Sequence, residues 1–132
     1  MKFIDTHTHL YLKQFSEDID TVISDSISSG IDKLFLPNIS SETTKDMLDL
    51  CKKYPETCYA MMGLHPCDVK SESMEKELLH VEEMLEKEKF IAVGEIGIDL
   101  YWDKSTLPLQ KEAFIFQIDL AKKYKLPIAI HV

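Results

Sequence analysis

His7 and His9 stand two residues apart in the run Ile4-Asp5-Thr6-His7-Thr8-His9, at the end of a short apolar segment. Alternate side chains of a strand share a face, so both imidazoles are expected to project the same way where a rigid element opens into a loop. Neutral imidazole is the commonest metal ligand, and two on one face hold a divalent cation compactly. Glu95 lies inside the apolar run Val93-Gly94-Glu95-Ile96-Gly97, and His131 closes the run Pro127-Ile128-Ala129-Ile130. A carboxylate within an apolar strand is costly to bury unless it is paired or binds a metal. The glycines beside it permit unusual backbone angles or close approach. Together, three imidazoles and one carboxylate suit zinc, manganese or iron, and with more oxygen donors magnesium. A glutamate has two oxygens and can bridge two cations. Two metals roughly 3.5–4 Å apart make a hydrolytic site for phosphate esters.

These residues need elements to hold them. Apolar runs at 3–7, 33–37, 58–63, 90–95 and 126–131 read as five short strands. Between them, apolar residues recur at helical spacing: Ile19, Val22, Ile23 and Ile27, then Thr44, Met47, Leu48 and Cys51, then Leu78, Val81, Met84 and Leu85. A fourth helix starts near Pro108 with an expected stripe of Leu109, Ala113, Phe116 and Leu120. Short, continuously apolar strands alternating with helices indicate an α/β fold with parallel strands buried on both faces. Polar residues gather at the carboxyl ends of those strands: His7 and His9, Asn38, His65, Glu95 with Asp99 beyond it, and His131. In parallel α/β folds that end carries the ligand site. His80, within the charged third helix, reads as a surface residue, and the acidic stretch from Glu72 to Glu88 as a solvated helix face.

A length of 132 residues suits one domain. Fifteen lysines face twenty-three carboxylates for a net charge of −8, and there is no arginine. Lysine meets phosphate as a point charge, without the bidentate fork of arginine. A polyanionic substrate therefore needs a local positive site, which bound metal ions supply. Cys51, Cys58 and Cys67 have no framework spacing and read as reduced thiols. No apolar run approaches the ~20 residues that cross a bilayer, and the N-terminus lacks the features of a secretory signal. A cytoplasmic location and no membrane partner are expected.

The segments Asp5-Thr6-His7-Thr8-His9-Leu10, Gly63-Leu64-His65-Pro66 and Gly94-Glu95-Ile96-Gly97-Ile98-Asp99 resemble, in order and approximate spacing, those of the TatD family. These are metal-dependent deoxyribonucleases of the amidohydrolase-like barrels. Pro127 to His131 is similar to that family's fifth strand, so the likeness spans residues 1–132. It implies a (β/α)8 TIM-barrel type of fold, of which about the first five strands and four helices are present, as the N-terminal portion of a single barrel domain. It implies two divalent metal ions (magnesium, zinc or manganese), with His7 and His9 on the first, Glu95 as the catalytic bridge and His131 on the second. His65 and Asp99 would lie near the substrate or just outside the ligands. Asp5, on the inward face of the first strand, is expected to orient a ligand histidine. The implied reaction is hydrolysis of DNA phosphodiesters, often as a 3′-to-5′ exonuclease on single strands.

A (β/α)8 barrel typically takes roughly 250 residues. In the family, a further histidine, an aspartate and an arginine come from later positions. Weak metal binding and low nuclease activity are therefore expected of this chain alone. Open edges at the first and fifth strands lead to an expectation of self-association. Two alternatives stay open. One is an amidohydrolase acting on an amide, lactone or phosphotriester, in which a lysine often stands where Glu95 does. The other is a non-catalytic fragment with partial metal binding.

Overall fold

A computed structural model describes residues 1–132. Five strands, β1 (Phe3–Asp5), β2 (Ile31–Pro37), β3 (Cys58–Met61), β4 (Val93–Gly97) and β5 (Ile128–His131), alternate with four helices, α1 (Ile19–Ser28), α2 (Ser41–Lys53), α3 (Met74–Lys87) and α4 (Leu107–Tyr124). The pairs β1·β2, β2·β3 and β4·β5 are all parallel. A parallel bridge between Met62 and Val93 joins the two groups into one continuous layer in chain order. The expected α/β alternation is therefore the observed one. Strand bounds differ from those expected by a few residues. The first strand ends at Asp5, so His7 and His9 lie in the loop just beyond it, and Glu95 sits in the middle of β4.

The helices cover one face of the layer. Their apolar stripes put Ile23 of α1, Met47 and Leu50 of α2, and Leu78, Val81 and Leu85 of α3 into a core shared with Leu34, Leu36, Met62, Val93 and Ile96 of the strands. Thr43 Oγ1 accepts the Ser40 backbone N–H at 3.3 Å, tying off one free donor at the start of α2. Gly30, with φ of +96°, turns the chain out of α1 into β2. No helix is long and apolar enough to cross a membrane.

Two sequence expectations are corrected here. Phe116 is not in the buried stripe of α4. It is exposed, and the buried positions are Gln110, Ala113, Gln117, Leu120 and Ala121. The helix is rotated relative to its apolar pattern because each glutamine finds backbone partners inside the protein. Gln117 Oε1 accepts the Leu64 N–H at 2.7 Å, and its Nε2 donates to the Leu64 carbonyl at 3.3 Å. Gln110 grips Asp99 in the same two-way manner, at 2.8 and 3.0 Å. A buried amide so satisfied escapes the usual desolvation penalty. His80 is half-buried, not a surface residue: its Nε2 lies 2.8 Å from Thr44 Oγ1 and links α3 to α2.

At the outer edges, β1 exposes Phe3 and Ile4, and β5 exposes Ile128 and Ile130.

Candidate metal centre

Glu95 is 5% exposed, and its carboxylate is the hub of the carboxyl ends of the strands. Its two oxygens face different partners. Oε2 lies 2.9 Å from His7 Nε2 and 3.3 Å from His9 Nε2. Oε1 lies 2.7 Å from His131 Nδ1 and 3.6 Å from His65 Nε2. The structure thus brings together all four residues expected as ligands, and draws His65 in beside them. Two clusters with convergent donor atoms result, His7–His9–Glu95 and His65–Glu95–His131. Donors about 2.0–2.1 Å from a tetrahedral zinc stand roughly 3.4 Å apart. The observed spacings fit that donor set.

Hydrogen bonds sort the imidazoles by tautomer. Tyr11 donates its hydroxyl proton to the Pro37 carbonyl, so toward His9 Nδ1, 2.7 Å away, it acts as acceptor. With an ion bound, neutral His9 would carry its proton on Nδ1 and offer the Nε2 lone pair, on the side of Glu95, to the metal. Burial pushes the Tyr11 phenol well above its usual range, which keeps that donor protonated. In His131, Nε2 lies 2.8 Å from Asp99 Oδ2. The proton belongs on that side in the neutral ring, leaving Nδ1 as the donor atom. This is the carboxylate–histidine pairing that supports metal-bound imidazoles. His65 is the opposite case. Its Nδ1 accepts the Cys67 backbone N–H at 3.1 Å, so neutral His65 holds its proton on Nε2. It offers an N–H to the site, in keeping with a place near the substrate.

Asp5 reaches His7 through the backbone. Its Oδ1 accepts the His7 backbone N–H at 3.1 Å, so it shapes the turn that carries the histidines and does not bond an imidazole. Sequence reading missed Tyr11, Gln110 and Gln117. The alternation of His7, His9 and Tyr11 was the available signal for the first. Asn38 is fully buried: its backbone bonds Gly94 and Glu95, and its side chain donates to the Ser40 and Gly63 carbonyls at 3.1 Å. It locks the ends of β2, β3 and β4 around the carboxylate.

The charges of the site follow from these contacts. Burial alone would raise the Glu95 pKa, but hydrogen bonds from His65, His9 and His131 outweigh it and hold the carboxyl well below its usual range. Burial opposes charging of His131, but hydrogen bonds to Asp99 and Glu95 outweigh it and raise its pKa. In chelator, the Glu95 contribution to stability is present above its ordinary value of 4.5 and lost as pH falls through the depressed folded value. The His131 contribution is complete below 6.5 and lost as pH rises through the raised folded value. The metal-free chain should therefore be most stable between these limits. Thermal melting across the pH range checks this, and a melting temperature that climbs steadily above pH 6.5 would contradict it.

A parallel βα layer with its polar cluster gathered at the carboxyl ends of the strands is the arrangement of barrel-type enzymes, and imidazoles with a carboxylate are a donor set that suits divalent metals. The chain belongs to the TatD related DNase family, whose model matches residues 4–132. It is 35% identical over 127 residues to YabD of Bacillus subtilis, named an uncharacterized metal-dependent hydrolase, covering 96% of this chain and 49% of that protein. It is 29% identical to the 3′-5′ ssDNA/RNA exonuclease TatD of Edwardsiella piscicida, covering 97% of this chain and 49% of that one. The crystal structure of YjjV, a TatD homolog from Escherichia coli, superposes with a TM-score of 0.82 at 34% identity, over 98% of this chain and 50% of its own. The chain spans about half the length of the curated relatives it matches.

Proposed function

We propose that this chain supplies the first part of a two-metal phosphodiesterase site that acts on single-stranded DNA from its 3′ end. The observation that carries the proposal is the split of Glu95, whose oxygens face separate sets of imidazoles. His7 and His9 would hold one divalent ion, His131 the other, and Glu95 both. Bound there, such ions lower the pKa of a coordinated water and offset charge growing on the phosphoryl oxygens. The protein's part is positioning. Tyr11 fixes His9, Asp99 fixes His131, and Asp5 fixes the turn at His7. The His65 Nε2–H, 3.6 Å from Glu95 Oε1, would be free to donate to a phosphoryl oxygen once ions engage the carboxylate. The nuclease names of several relatives support nucleic acid as the substrate class. Chelation of metal by imidazole and carboxylate also answers the net charge of −8, which would otherwise repel a polyanion.

The chain spans about half the length of its relatives, so low turnover is expected of it alone. The open edges at β1 and β5 suit pairing with more strands, a second copy of this chain included. Calorimetric titration with manganese or zinc, followed by cleavage of 5′-labelled single-stranded DNA, tests the proposal, and sedimentation reports the assembly. Saturable binding and slow shortening from the 3′ end, both abolished by chelator, are expected. Absence of metal binding, or equal cleavage in chelator, would refute it.

A further inference from the structure

Tyr101 and Trp102 leave 81% and 78% of their surfaces exposed, yet the loop that carries them is firmly held. Asp99 Oδ1 accepts both backbone N–H groups, at 3.0 Å from Tyr101 and 3.2 Å from Trp102. The other oxygen of the same carboxylate bonds His131. The Asp99 backbone is gripped in turn by Gln110. The two rings sit edge to face with centroids 4.8 Å apart and planes at 87°. Trp102 also lines a cavity of about 110 Å³ with Pro66, Cys67 and Asp99, beside the loop that presents His65. One carboxylate therefore separates an exposed indole from a candidate metal ligand.

Aromatic side chains presented in this way have little to contribute to folding. Their placement suits a flat, π-rich ligand that arrives with its phosphate at the strand ends. The charge balance points the same way. With no arginine and a net charge of −8, contacts to a phosphate backbone are weak away from bound metal. Stacking on an aromatic face is independent of charge and tolerant of base identity. We propose that Trp102, braced by Tyr101, is a stacking platform for a nucleobase adjoining the scissile phosphate, a role that presupposes the phosphodiesterase reading above. The platform would favour single strands, whose bases are free to stack, over paired ones.

Trp102 is the single tryptophan of the chain, so its emission reports on this position alone. The full chain with manganese is titrated with a short phosphorothioate oligothymidylate and with an abasic phosphorothioate oligomer of equal length and charge. Saturable quenching by the first and much weaker binding of the second are expected. Trp102→Ala, followed by fluorescence anisotropy of a labelled oligomer, should weaken binding by about 5- to 150-fold. Trp102→Phe should recover most of the loss, with thermal melting unchanged in both variants. Equal affinity for the two oligomers, no quenching by either, or full binding by Trp102→Ala would overturn the platform. So would an emission that shifts with protein concentration alone, which marks the pair as a contact between copies. Cleavage of an unmodified abasic oligomer separates the two levels. Metal-dependent cleavage without base preference overturns the platform alone, whereas base-dependent quenching without any cleavage overturns the phosphodiesterase reading, and with it the catalytic role of the platform, leaving only a single-strand binding surface at Trp102.

Discussion

Replacing Glu95 with alanine is expected to remove divalent-metal binding from the strand ends and to lower any metal-dependent phosphodiester cleavage by more than ~100-fold. Loss of a partner that merely orients a metal ligand costs roughly 10–100-fold in affinity or activity. Glu95 would touch the ions directly, and it is the only carboxylate shared by both candidate clusters. Without it, His7 and His9 lose the anion 2.9 and 3.3 Å away, and His131 loses one of its two carboxylate partners. Four imidazoles would remain around a small void, with no carboxylate among them to offset the charge of bound cations. Glu95→Gln separates charge from shape. It fills the same space, but it turns an amide N–H₂ toward one set of imidazoles and carries no negative charge. Both variants should lose metal affinity in calorimetric titration, while Glu95→Gln keeps the melting behaviour of a folded chain. Affinity within about threefold of the unaltered chain would show that the ions, if bound, are held elsewhere.

Much of this site could be read from the sequence because strand periodicity and residue type speak directly to it. The pair His7 and His9, Glu95 within an apolar run, and His131 at the end of another each announce a polar group at the carboxyl end of a parallel strand. Strand order puts them at one end of the layer; that they meet at one carboxylate is implied by the likeness to the TatD family. The supporting residues were harder to see. Gln110 and Gln117 look like solvent-facing positions between apolar residues of α4, and hydropathy assigns the burial to Phe116 instead. Only the paths of the loops after β3 and β4 show that Leu64 and Asp99 present unpaired backbone groups, which a glutamine amide satisfies as a neighbouring strand would. Tyr11 needed the same kind of information, since its value lies in the Pro37 carbonyl at the end of β2. Asp5 was placed from the sequence but its route was not. Strand alternation suggested that it orients a ligand histidine, and it does so through the backbone: the strand ends at Asp5 and the carboxylate accepts the His7 N–H. Periodicity locates residues on faces. It carries no information about which backbone groups a distant loop leaves unpaired.

Gly97→Ala is expected to cost about 3 kcal/mol or more of stability and to weaken metal binding at the same time. Gly97 has φ of +150°, a conformation L side chains rarely adopt, and such strain costs of order 1–3 kcal/mol. Its neighbour in the β4·β5 pair is His131. A methyl group added at Gly97 would run into the His131 carbonyl oxygen, with the His131 nitrogen at 3.2 Å and carbonyl carbon at 3.3 Å. These are backbone atoms, so no side-chain rotation relieves the clash, and overpacking of this kind adds typically 1–3 kcal/mol. The strand must shift, and it carries His131 Nδ1 away from Glu95. Gly30→Ala makes a clean control. Gly30 also has positive φ, at +96°, but an added methyl meets the Met1 carbonyl at 3.4 Å and the Phe3 ring at 3.9 Å, far from the strand ends that hold the ligands. It should cost roughly 1–2 kcal/mol and leave metal affinity unchanged. Denaturant unfolding and metal titration on both variants distinguish the two effects. If Gly97→Ala loses no more stability than Gly30→Ala and binds metal as tightly as the unaltered chain, then the close approach of β4 to β5 is not what holds His131 against the carboxylate.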